Sequence, residues 1–253
     1  VKAEPAVQAR LLDLQNLDTE LQRLDHRART LPEAVEAAAL KERAQTLESE
    51  LISVRTKASD VERRQRKAES DVEQVRDRAD RDNKALESGQ ITSARELQNL
   101  QSEIASLARR QAELEEIVLE VMEQSEELSA EVDRVAAARE EAVAEHTATV
   151  ARRDTALAEI QWDRTRRSQD RERILEEIPA DLLALYDKLR AQHDGVAAAP
   201  LRHGRCGGCK LQLSTVELNE IKAAADDEVV RCEDCRRILV RTDESGAGGR
   251  SAE

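Results

Sequence analysis

Four cysteines carry the clearest chemistry in this sequence. They stand as Cys206-Gly-Gly-Cys209 and Cys232-Glu-Asp-Cys235, and there are no others. A two-residue gap lets both sulfurs of one tight turn face the same point. Two such turns place four thiolates at the corners of a tetrahedron, the geometry preferred by structural zinc. Gly207 and Gly208 let the backbone curl around the metal. Four thiolates close the coordination sphere, so no position is left for water or substrate. The expectation is one structural Zn²⁺ bound by Cys206, Cys209, Cys232 and Cys235, supplying folding energy to a module too small to bury a large core. A redox pair would need a βαβ context, which the sequence does not offer. Spacing alone also admits an iron–sulfur site.

The 22 residues between the two pairs leave room for an insertion. Ser214 and Glu217 read as a capping box opening a short helix from Val216 to Ala225. Leu211–Leu213, Val229–Arg231 and Ile238–Arg241 read as short strands. Elsewhere no catalytic arrangement can be assembled. Neither GxxxxGK[ST] nor GxGxxG occurs. His26 and His146 fall on the coiled-coil arms, His193 falls near a helix end where a cation is favoured, and His203, three residues before Cys206, is not needed as a ligand beside four cysteines. The protein is read as a non-enzyme with no small-molecule substrate.

Arg202, Arg205, Lys210, Arg236 and Arg237 flank the cysteine pairs and form a candidate nucleic-acid-binding patch, for RNA or DNA. Residues 195–243 nevertheless hold eight Lys or Arg against eight Asp or Glu, and no Phe, Tyr or Trp for base stacking. The whole chain carries a net charge of −13, which does not favour general attraction to phosphate.

The rest of the sequence must position this module. It has 253 residues, no Phe, one Trp, one Tyr, one Met and 37% charged residues. Such a composition lacks the large side chains of a thick core and suits thin helix–helix seams. Leu14, Leu17, Leu21, Leu24, Ala28 and Leu31 recur at steps of three and four. So do Leu40 to Leu86, and Leu97 to Val135. This is the 3.5-residue period of a left-handed coiled coil. Gly89 can end a helix, and Ser93 with Glu96 can cap the next. The seams then match antiparallel: Leu86 faces Leu97, Ala79 faces Ile104, Leu51 faces Val132 and Leu40 faces Val143. A one-residue phase change is expected between Val135 and Val143. The third helix would be about 125 Å long at ~1.5 Å per residue. At Leu31-Pro32, Thr30 and Glu33 read as another capping box, with a kink or a chain reversal.

One stretch does not fit. Residues 163–173 contain no apolar residue, although Leu11, Leu14 and Leu17 should face them. Either Arg stems cover those leucines, or Leu11, Leu14, Leu17 and Trp162 form a partner surface. The resulting organisation is mainly α. A long antiparallel coiled-coil hairpin spans 1–178, with a kink near 30–32 and its tip near 88–93. A connecting helix spans 179–194 and carries Leu182, Leu185, Tyr186 and Leu189 on one face. A small C-terminal C4 zinc ribbon spans 195–243, and a disordered tail 244–253. No apolar run is long enough for a membrane span, Val1-Lys2-Ala3-Glu4-Pro5 lacks a signal-peptide hydrophobic region, and a cytoplasmic location is expected. The chain is expected to be a monomer or dimer.

Taken together, SGQITSARELQNLQSEI (88–104), LARRQAELEEIVLEVME (107–123), CGGC and CEDC resemble the bacterial C4-type zinc-ribbon proteins with a coiled-coil hairpin, a flagellar- and secretion-associated family. The resemblance implies a non-enzymatic adaptor or chaperone-like scaffold that engages protein partners, or alternatively RNA. It also implies zinc-ligand roles for the four cysteines. Arg236 departs from the pattern, since a ribbon knuckle often places Gly after its last Cys.

Overall fold

The computed structural model describes residues 1–89, 91 and 93–245. Its contacts form two compact units: Val35–Val150, and Val1–Ala34 together with Ala151 onward.

The first unit is built from α2 (Pro32–Glu87) and the earlier part of α3 (Ala94–Glu176). Both are rich in Ala, Leu, Glu, Arg, Lys and Gln, with no Gly inside and Pro only at the first position of α2. The helices run antiparallel, because contacts ascending one helix descend the other. Arg43 pairs with Glu145, Arg139 with Glu48, Arg64 with Gln124 and Arg78 with Glu103. Leu51, Val54, Val61, Ala68 and Val72 are buried from α2, and Leu107, Leu114, Val121, Val135 and Ala142 from α3. The expected phase change after Val135 does not occur. Burial continues in steps of seven through Val135, Ala142 and Thr149, and Val143 is 37% exposed. The smaller Ala142 lets the heptad run on without a stutter. Leu97 is also largely out of the seam, at 38% exposed. Gly89 adopts φ +67, and the Leu97 N–H bonds the Ser93 carbonyl to open α3. Gln90 and Thr92, part of the expected tip, lie outside the described residues.

The second unit is organised around a four-stranded sheet. α1 spans Pro5–Arg29, and the end of α3 packs beside it. α4 (Ala180–Gln192) follows, and then β1 (Ala198–Arg202), β2 (Arg205–Cys206), α5 (Thr215–Ala223), β3 (Val230–Arg231) and β4 (Ile238–Arg241). Strand order is β2-β1-β4-β3, with β1 and β4 parallel and the outer pairs antiparallel. Alternation along the strands divides the burial between two cores. Ala198, Ile238 and Val240 join Leu11, Leu14, Leu182, Tyr186 and Leu189 on one face. Ala199, Leu201 and Leu239 join Cys206, Leu213, Ile221 and Cys232 on the other.

Several sequence-based expectations are corrected here. β1 was not anticipated, because Ala-Ala-Pro has little strand character. Its parallel pairing with β4 and burial on both faces fix it. Leu211–Leu213 is not a strand and contributes only an isolated bridge, Arg205 with Gln212. Thr30 does not cap α2; its hydroxyl donates back to the His26 carbonyl and closes α1. The connecting helix is shorter than 179–194: α4 runs Ala180–Gln192, with Pro179 as its N-terminal cap residue and His193 as its C-terminal one. The tail is ordered through Ser245: Asp243–Ser245 form a 3₁₀ turn, and the buried Ser245 hydroxyl donates to the Leu201 carbonyl at 2.8 Å. Residues 246–253 lie outside the described residues.

Candidate metal centre

The two cysteine turns are built alike. In the first, the Cys206 N–H bonds the Leu211 carbonyl and the Lys210 N–H returns to the Cys206 carbonyl, at 3.0 and 2.9 Å. In the second, the Cys232 N–H bonds the Arg237 carbonyl and the Arg236 N–H returns to the Cys232 carbonyl, again at 3.0 and 2.9 Å. Both hairpins need a left-handed residue after the second cysteine. Lys210 and Arg236 supply it at φ +65 and +60. The absence of Gly at Arg236 therefore leaves the turn intact, at a strain of about 1 kcal/mol per residue. Gly207 is required for a different reason. A Cβ there would lie 2.8 Å from the Pro200 carbonyl oxygen, against which the turn is pressed.

All four sulfurs lie within 4.8 Å of one another. Cys206 and Cys235 are 3.7 Å apart, and Cys209 and Cys232 are 3.9 Å apart. A tetrahedral Zn²⁺ with bonds of ~2.3 Å sets its ligand sulfurs ~3.8 Å apart, so the donor set fits zinc. The thiols are free, not disulfides. Burial pushes the Cys206 and Cys232 thiols up. Burial acts on Cys235 as well, but the Arg237 backbone N–H and guanidinium, with the Cys232 and Cys206 thiols, more than offset it and bring it down to about 7. Zinc binding must therefore displace protons from the two buried thiols.

Groups outside the ligand set hold the turns. Ser214 caps α5, its hydroxyl accepting from the Glu217 N–H at 3.1 Å. The expected reciprocal half of that capping box is absent. The buried Glu217 carboxylate instead accepts from the Glu233 N–H at 3.0 Å, tying α5 to the second knuckle. Arg237 donates to the Val196 carbonyl at 2.9 Å. Arg241 spans the Ala225, Asp226 and Glu228 carbonyls after α5.

A buried polar cluster joins α1 to the ribbon. Gln15 behaves like a short piece of strand. Its Nε2 donates to the Gly195 carbonyl at 2.8 Å, and its Oε1 accepts from the Ala197 N–H at 2.7 Å. Fully buried Asp18 accepts from the Tyr186 hydroxyl at 2.7 Å and Arg171 at 2.8 Å, with Arg190 at 3.3 Å. Burial, with the hydrogen bond and charge of Asp18, pushes the Tyr186 phenol well above its usual range. Sequence reasoning missed this cluster. The one visible signal was the apolar-free stretch 163–173. Its arginines pair down α1: Arg164 with Asp25, Arg167 with Glu20, and Arg171 with Asp18.

Two candidate sets are broken up by the fold. Leu11 and Leu14 are 0% exposed, covered by α4 and the sheet, and cannot form a partner surface. Leu17 is half-buried, and Trp162 alone of that set stands out, at 63% exposed. In the basic set, Arg237 is half-buried and turned onto backbone carbonyls. Arg202 pairs with Glu244 and Arg205 with Gln212. Lys210 and Arg236 are exposed beside the knuckles.

Comparison with known proteins agrees with this architecture. Residues 14–194 match the CT398-like coiled coil hairpin domain, and residues 205–239 match the C4-type zinc ribbon domain. An uncharacterised Mycobacterium tuberculosis protein is 38% identical over 241 residues, covering 95% of this chain and 98% of the relative. A Mycobacterium leprae protein is 31% identical over 218 residues, covering 86% and 93%. A solved Mycobacterium smegmatis structure shares 36% identity with a TM-score of 0.80, covering 96% of this chain and all of that one. CT398 from Chlamydia trachomatis shares the fold at 16% identity and a TM-score of 0.65, covering 94% and 98%. The chain belongs to the family of CT398-like coiled-coil hairpin proteins carrying a C4-type zinc ribbon.

Proposed function

We propose that the protein is a non-enzymatic, zinc-stabilised scaffold that engages protein partners through its helices and ribbon. The observation that carries this reading is the division of apolar surface on α3. Leu114 and Val121 fill the seam of their own unit, whereas Leu119 and Met122 stand off it, one turn apart and 62% and 39% exposed. Apolar residues held out of a self-filled seam, on a helix otherwise faced with Glu and Arg, favour contact with other proteins. The four-sulfur site supports a structural role for the metal, because four thiolates leave no open position. Flagellar or secretion partners, as the resemblance implied, would be one instance of this function, and a cytoplasmic setting suits the free thiols.

Affinity capture from cell lysate tests it, with and without nuclease, using the intact chain, Leu119→Glu, and a variant with all four cysteines changed to Ser. Retained proteins that survive nuclease and are lost with Leu119→Glu support the scaffold. A retained set that disappears with nuclease would replace it with the nucleic-acid reading, in which Arg205, Lys210 and Arg236 are the remaining contacts. Steep weakening with salt would mark that second mode.

A further inference from the structure

Within the unit that holds the ribbon, α3 has two faces. One packs on α1, with Ile160 buried and Arg164, Arg167 and Arg171 in ion pairs. The other carries Ala151, Thr155, Ala158, Trp162, Thr165 and Gln169, all exposed. Their spacing alternates between four and three residues, the heptad step of a coiled-coil seam. Thirteen of the twenty-six residues 151–176 are charged, yet none of these six is. Arg166 stacks on the Trp162 ring at 5.8 Å. Toward the start of this stretch, an open hollow of about 400 Å³ is lined by Ala151, Arg152, Thr155, Ala156 and Glu159. An exposed indole and a hollow on one face of a single helix cannot meet within one copy, but they can meet between two.

We infer that this face binds a second copy of the chain, antiparallel, with each Trp162 seated in the partner's hollow. The two-fold axis then passes between Ala156 and Leu157. Trp162 lies over the partner's Ala151, and Thr155 over the partner's Ala158. The flanking Arg152 meets the partner's Glu159, and every contact occurs twice, as an isologous interface requires. Small residues opposite the indole let the backbones approach, and Trp brings the largest apolar area of any side chain. Charge selects the register. Sliding one step along the seam sets Glu159 against its own copy and Arg152 against the partner's Arg166. Sliding the other way sets Arg152 against its own copy. A parallel pair sets Glu159 against the partner's Asp154. The first alignment has no facing like charges in this stretch. Rim ion pairs of this kind fix register more than they add affinity.

The test uses the full, zinc-loaded chain. Trp162 is its sole tryptophan, so its emission reports on this face. Sedimentation should show a monomer–dimer equilibrium complete by about 100 μM, where a micromolar contact is saturated, with a blue shift of the emission as dimer forms. Trp162→Ala should abolish the dimer. Glu159→Arg and Arg152→Glu should each weaken it at least ~10-fold by creating two like-charge contacts. The double variant, with both pairs reversed, should restore it. All four variants should keep the parent circular dichroism, since the changed side chains are exposed. A chain still monomeric at that concentration, a dimer indifferent to Trp162→Ala, or a double variant no better than its single parents would overturn the assignment.

Discussion

The unit Val35–Val150 and the unit that holds the ribbon bury their residues by different means. In the first, burial repeats every seven residues and uses Leu, Val and Ala. Each contact resembles the next, and flanking ion pairs such as Arg139 with Glu48 are exposed at both ends. In the second, few contacts repeat. A buried Asp18 meets two arginines and a tyrosine, a glutamine side chain substitutes for strand, and four thiols converge on one point. Repetition spreads stability thinly, so any one position matters modestly. Singular contacts concentrate it, and a single change should release a whole element.

The metal offers the sharpest break in that contrast. Structural zinc is worth an apparent ~10–16 kcal/mol in small domains. Cys232→Ser, or chelation, should therefore unfold the ribbon. Hydrogen exchange should show lost protection at β1, β3 and β4, metal content should fall to zero, and the amides of residues 35–150 should be unchanged. Protection that persists in β4 would mean the sheet stands without its metal. Asp18→Asn comes next. It leaves Arg171 and Arg190 without their buried counter-charge, at a cost of about 3–5 kcal/mol. Denaturant unfolding followed by Trp162 emission should register that loss, whereas cysteine crosslinks within 35–150 should form as before.

The same contrast explains what could be read in advance. The hairpin was legible because Leu51, Val61 and Val121 follow a period that physics ties to one geometry. The cysteine pairs were legible because ligand spacing is local. β1 was not, because Ala198 and Ala199 become strand only through their parallel partner Ile238–Arg241. Nor were Gln15 and Asp18: on α1 they look like two more solvated polar residues, and only the fold of residues 182–198 over them makes them interior. Leu11 and Leu14 failed in the opposite sense. Their anomaly was visible, but the element covering them lay some 170 residues away in the sequence, beyond any local pattern.

In the hairpin, Leu51→Ala should cost about 2 kcal/mol, the low end for a buried leucine, because a thin seam can close around the gap. A loss comparable to that of Asp18→Asn would deny the difference between the units. Tyr186→Phe should cost about 1–2 kcal/mol by removing the donor to Asp18, and it also gives a pH test. The folded phenol titrates well above its ordinary value of 10.0. Its contribution is thus complete below about pH 10 and is lost as pH rises beyond the unfolded-state value. Wild type should lose stability with each step above pH 10, and the Phe variant should have a flatter profile there.

Smallest of all should be the effect of Arg78→Ala. Its guanidinium sits 2.7 Å from Glu103 across the α2–α3 seam, a good contact by distance. The two side chains are nevertheless 59% and 45% exposed, so water and salt screen the attraction. Holding two long side chains in one arrangement also costs entropy. Exposed pairs of this kind contribute about 0.2–1 kcal/mol, and alanine recovers part of that through its helix propensity. The expected change is therefore about 0.5 kcal/mol or less, vanishing by ~1 M salt, where the Debye length is ~3 Å. Thermal melts at low and high salt would measure it. A larger, salt-insensitive loss would show that the ion pairs, and not the Leu, Val and Ala beneath them, hold the helices of that unit in register.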